Sequence, residues 1–73
     1  MTKSIQEITF VVEESLEGGY VARALGFDIF TEADDLDGLR HQVVDAVRCH
    51  FEDEAQRPHL VRLHFVKDEI LAA

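Results

Sequence analysis

The sequence predicts an α+β domain of order β-β-β-α-β: an antiparallel three-stranded meander and a fourth strand, with one helix packed on one sheet face. Three observations predict it. Apolar residues alternate with period two in two early runs, and a third run rich in β-branched and aromatic residues follows. The period becomes helical from Leu36, and it returns to two after Pro58. The connections between the early runs are short, so consecutive strands are expected side by side.

Residues 6–14, QEITFVVEE, put Ile8, Phe10 and Val12 on one side and Thr9, Val11 and Glu13 on the other, which is strand patterning. Residues 20–25, YVARAL, repeat it, with Tyr20, Ala22 and Ala24 against Val21, Arg23 and Leu25. Between them, SLEGG carries adjacent Gly18 and Gly19, suited to a hairpin with a longer loop. Gly26 breaks the second run, and residues 27–33, FDIFTEA, supply the third strand. From Leu36 the apolar residues Leu39, Val43, Val44, Ala46, Val47 and Phe51 follow helical spacing. Asp34 or Asp35 stands at the N-cap, and Asp37 adds negative charge to the first turn. Gly38 costs about 1 kcal/mol relative to alanine, tolerable near a capped start. The helix is expected to fade around Glu54 and Ala55, with Pro58 as boundary. Residues 59–66, HLVRLHFV, form the fourth strand, with Val61, Leu63 and Phe65 on one face and Arg62 and His64 on the other. The closing KDEILAA extends that strand or opens a helical turn.

A chain of 73 residues is one domain, residues 1–73. Such a chain buries roughly 60% of its unfolded surface, and its single cysteine allows no internal disulfide to reinforce a marginal core. Self-association is the remaining source of buried area. One helix covers one face of a sheet, so the other face keeps some of Val11, Val21, Leu25, Phe30, Leu60 and Val66, a patch that marks an interface. A homo-oligomer is expected.

Fifteen acidic against seven basic side chains give a net charge of -8, which repels a phosphate backbone and favours a basic protein partner. No apolar run is long enough to span a membrane, and MTKSIQEITF has no signal-peptide pattern. The expectation is a cytoplasmic protein that binds neither membrane nor DNA.

The glycine pair lies between two strands, beside Glu17 and without a following GK[ST], so it reads as a turn and not as a phosphate loop. Cys49 and His50 are neighbours on a helix and point about 100° apart, so they do not converge on one atom. Helical projection places His50 in the Leu36, Leu39, Val43 stripe as a core histidine, and Cys49 half-buried at its edge. His41 and Asp45, one turn apart, belong to the solvent face with Arg48 and Glu52. No catalytic residue, metal site or cofactor is assigned. Arg62 and His64 share a face and are placed to meet Glu13 or Arg23 across strands. This cluster reads as an ion-pair group at a subunit interface, or as a small acid-base or anion site. Glu32, Asp34, Asp35 and Asp37 form an acidic run that caps the helix and offers a docking place for a basic partner.

A strand, then EGGYVA, a short third strand, TEADDLDGL leading into a helix and a further strand together resemble the HicB-like family over residues 7–66. The resemblance implies a partial ribonuclease-H-like fold, with Gly18, Gly19 and Tyr20 as structural residues. It also implies dimers or tetramers, and binding and neutralisation of HicA, a small basic messenger-RNA-cleaving toxin. Two features depart from the family. ALGFDIF stands where a proline- and glycine-bearing stretch is common, and the C-terminal operator-binding helix-turn-helix or ribbon-helix-helix segment that many members carry is not expected here. The stretches GGYVARALG, IFTEAD, AVRCHF and RLHFV also resemble short solitary chains labelled as branched-chain 2-oxo-acid dehydrogenase. Seventy-three residues cannot enclose thiamine diphosphate and a substrate together, so that resemblance implies at most an accessory subunit of such a complex. The other alternative is a small-ligand binder or enzyme using Arg62 and His64 at a subunit interface.

Overall fold

The computed structural model describes residues 6–73 and has the predicted β-β-β-α-β order. Its elements are β1 (Glu7–Glu14), β2 (Tyr20–Ala24), β3 (Phe30–Ala33), the helix α1 (Leu36–His50) and β4 (Leu60–Val66). A short 3-10 turn, Glu54–Gln56, lies between α1 and β4. The strands form one mixed sheet in the order β3-β2-β1-β4. The first three make an antiparallel meander, and β4 lies parallel to β1 on its other side. This makes β1 an interior strand and leaves β4 at an edge.

Alternation along β1 decides the layers. Ile8, Phe10 and Val12 are fully buried, and their partners Ala22 and Ala24 on β2 are buried with them. The alanines leave room for α1 to lie close, and Leu39, Val43 and Val47 of the helix complete the core with Ile29. This is the stripe set by helical spacing. The helix lies over β3 and β2, at one side of the sheet. On the same face β4 is left largely uncovered: Val61 and Leu63 are half-buried, and Phe65 is 51% exposed.

Helix and turn chemistry follows local rules. Asp35 is the N-cap, and its carboxylate accepts the Gly38 N–H at 2.6 Å. Gly18 and Gly19 both have positive φ, +99° and +82°. The Gly18 N–H donates to the Ser15 carbonyl, and the Ser15 N–H donates to the Gly19 carbonyl, closing the hairpin. Gly19 meets a second demand, because a Cβ there would sit 2.7 Å from the Ala33 carbonyl oxygen. The loop is therefore pressed against the end of β3.

Apart from single-residue differences at strand ends, three boundaries and two placements differ from the sequence expectation. The third strand is Phe30–Ala33 and not residues 27–33, because Gly26 (φ +82°) turns the chain and the Ala24 N–H donates to the Ile29 carbonyl across that turn. The helix ends at His50, where the Phe51 N–H closes the last turn on the Val47 carbonyl. Asp53 then caps a separate turn by accepting the Ala55 N–H at 3.0 Å. Residues 67–73 form neither strand nor helix.

His50 is exposed, not a core histidine, and Cys49 is exposed, not half-buried. The cause is length. Fifteen helical residues span about 22 Å, whereas the four residues of β3 span about 13 Å. The helix runs back along β3 and overshoots it, so its last turn stands over the β2–β3 loop. There Phe27 packs edge-to-face on His50 (5.9 Å) and on Phe51 (5.3 Å).

Candidate functional site

Strand register brings the predicted cluster onto one face. On the face away from α1, Arg23 of β2 is paired with Val11 of β1, and Val11 with His64 of β4. One row on, Glu32, Val21, Glu13 and Val66 lie abreast across all four strands. Glu13, Arg23, Arg62 and His64 thus share the open face. Arg62 is paired with neither Glu13 nor Arg23. Its Nε donates to the carboxylate of Glu7, one row toward the start of β1. Both side chains are well exposed, so the ion pair is worth at most about 1 kcal/mol. His64 is exposed.

The apolar residues expected on this face divide. Phe30, Leu60, Leu25 and Val66 are exposed, whereas Val11 and Val21 are half-buried between neighbouring side chains. The interior strands shield one another, and the exposed apolar surface gathers toward the two edges.

A second site lies at one end of the sheet. The antiparallel meander returns the end of β1, the β1–β2 loop, the end of β3 and the start of α1 to the same place. Glu13, Glu14, Glu17, Glu32, Asp34, Asp35 and Asp37 are carried there. No arginine or lysine occurs on residues 13–22 or 31–39. Asp35 is engaged by the helix N-terminus, while Glu17, Glu32 and Asp34 line an open depression of about 500 Å³ with Ser15, Tyr20 and Val21. A second depression, about 350 Å³, adjoins it beside Glu14 and Leu16. Ser15, Gly18, Tyr20 and Asp34 line both.

The acidic run therefore extends beyond Glu32, Asp34, Asp35 and Asp37 to Glu13, Glu14 and Glu17. That extension follows from the hairpin register, which places the end of β1 beside the end of β3 through β2. Glu7 as the partner of Arg62 could be found only by knowing that β4 lies parallel to β1. The remaining singled-out groups stay separate: His41 Nδ1 lies 2.9 Å from the Asp37 carbonyl within its own helix. Among the described residues no group of His, Cys, Asp and Glu is arranged to hold a metal ion. No helix among them is long and apolar enough to cross a membrane.

Fold and site together define a class: a small α+β domain with a mixed four-stranded sheet, a carboxylate-rich end and an exposed apolar edge strand. Within that class the chain belongs to the UPF0150 protein family. It is 52% identical over 58 residues to a UPF0150 protein of Archaeoglobus fulgidus, covering 80% of this chain and 85% of that one. It is 40% identical over 67 residues to a UPF0150 protein of Thermotoga maritima, covering 92% of this chain and 93% of that one. No family model matches the chain, and no solved structure matches it.

Proposed function

We propose that this chain is a non-catalytic protein-binding domain of the HicB-like antitoxin kind. In this reading it self-associates and neutralises a small basic ribonuclease of the HicA type by docking it on the carboxylate-rich end. One observation carries the reading. The fold gathers carboxylates from four separate segments at one end, around two open depressions that share the glycine loop as lining. A surface of one charge sign speeds the encounter with an oppositely charged partner and selects against acidic ones. The placement of Arg62 against Glu7 does not favour the small-ligand alternative, and no contact favours an accessory subunit of a dehydrogenase complex.

The test is binding of a HicA-type ribonuclease, followed by calorimetry and by protection of an RNA substrate. Wild-type chain is expected to bind and protect, with affinity falling as salt rises. The double variant Glu32→Lys/Asp34→Lys is expected to lose at least about tenfold in affinity. Glu52→Lys, beyond the opposite end of α1, is expected to change little. Equal loss in both variants, or protection that is indifferent to salt, would sink the docking site.

A further inference from the structure

We propose that β4 is the self-association edge, and that two copies of the chain pair their β4 strands antiparallel about a two-fold axis at Leu63, making one continuous sheet. This deepens the self-association in the reading above and rests on it.

The first ground is the open hydrogen-bonding edge. The Leu60 N–H donates to the Gln6 carbonyl, at 3.1 Å, so Leu60 turns its backbone groups toward β1. Strand alternation then turns those of Arg62, His64 and Val66 the same way, and those of Val61, Leu63 and Phe65 outward. Among the described residues no strand lies on that side. The second ground is apolar exposure on both faces of the strand. Phe65 is 51% exposed on the helix side, and Leu60 (65%) and Val66 (39%) are exposed on the other. Strands with apolar residues on both faces are ordinarily interior ones, and a long apolar edge invites another strand.

The third ground selects a second copy over other occupants. LVRLHFV reads apolar, apolar, basic, apolar, basic, apolar, apolar, which is the same class pattern from either end. A two-fold axis perpendicular to the sheet keeps each face on its own side. With Leu63 opposite its symmetry mate, Val61 faces Phe65 and Leu60 faces Val66, apolar on apolar in five of the seven rows. Arg62 faces His64. The outward backbone groups of Val61, Leu63 and Phe65 then meet in hydrogen-bonded pairs, as the antiparallel ladder requires. Self-complementarity of this kind is what an isologous contact needs. Charge agrees. The chain carries -8 overall, yet residues 60–67 hold no carboxylate, so the paired strands bring no carboxylate against carboxylate. A basic partner would find Arg62 and Lys67 there, and a better surface at the acidic end. The helix stands over β2 and β3, clear of the junction.

The experiment has two arms. Sedimentation of wild-type chain and of Phe65→Lys, from low to high micromolar, reads the assembly; far-UV circular dichroism and urea unfolding check that the variant is folded. Wild type is expected to be a dimer. Phe65→Lys is expected to raise its dissociation constant at least about a hundredfold, because the contact is lost twice per dimer. The second arm reads the register. In a Cys49→Ser background, Arg62→Cys protein and His64→Cys protein are expected to form disulfide-linked heterodimers when mixed under mild oxidation. Each alone should cross-link poorly, since 62 lies opposite 64 at about 4.5 Å between Cα atoms. A folded Phe65→Lys that remains dimeric, or homodimeric cross-links in preference to mixed ones, would overturn this arrangement while leaving self-association standing. A monomeric wild type would overturn both the arrangement and the self-association, and ribonuclease binding, measured separately, would still judge the docking site. If wild type is monomeric and that binding disappears with Phe65→Lys, the edge serves the partner in place of a second copy.

Discussion

The adjacent glycines give the sharpest stability test, because the structure assigns them different burdens. Both lie at positive φ, where an L side chain costs about 1–2 kcal/mol. Replacing glycine also removes unfolded-chain freedom, which returns about 0.4–1 kcal/mol. At Gly18 nothing lies near the added Cβ, so Gly18→Ala is expected to cost about 1 kcal/mol or less. At Gly19 the Cβ would sit 2.7 Å from the Ala33 carbonyl oxygen and 3.3 Å from the Asp34 Cα, both backbone atoms that cannot rotate away. Either the loop lifts off the end of β3 or β3 shifts, and an overpacking cost of about 1–3 kcal/mol adds to the dihedral one. Gly19→Ala should therefore cost about 2–4 kcal/mol. In a domain of this size each kcal/mol lowers Tm by roughly 4–8 °C. Urea and thermal unfolding followed at 222 nm, at one protein concentration, would separate the two variants. Equal losses, or a larger loss at Gly18, would refute the claim that the loop is pressed on β3.

Two other expectations rest on single side chains. Asp35→Ala removes the carboxylate that accepts the Gly38 N–H and should cost about 1 kcal/mol in urea unfolding, whereas Asp34→Ala, which caps nothing, should cost less than half of that. Leu39→Ala empties a fully buried position between helix and sheet and should cost about 2–5 kcal/mol. Against a total of about 4–11 kcal/mol for a chain of this length, that loss should leave a thermal melt that is broad or already begun at room temperature.

Much of the fold was legible because its signals are local. Alternation in EITFVVEE identified the buried row Ile8, Phe10 and Val12, and helical spacing identified Leu39, Val43 and Val47. The cap was narrowed to two aspartates by residue type alone. What periodicity could not supply was which strand lies beside which. The parallel place of β4 next to β1 joins residues from opposite ends of the chain, and Glu7 meets Arg62 only through it. His50 failed for a related reason. A helical wheel gives direction but not extent, and the shortness of β3 leaves no sheet under the last turn. The acidic docking run was legible in part as a string. Its enlargement by Glu13, Glu14 and Glu17 needed the hairpin register.

The parallel pairing of β1 with β4 also governs the order in which the chain can become native. β1, β2, β3 and α1 lie in sequence and need only short loop closures, so they can collapse as they leave the ribosome. β1 is then a temporary edge, and its empty side waits for residues 60–66. Long-range pairing of this kind slows folding. During that wait EITFVVEE and, once made, LVRLHFV are open apolar strands able to pair with the wrong chain. The vulnerable interval in the life of this domain is therefore its synthesis: a stall before residue 60 would leave the core strand without its neighbour.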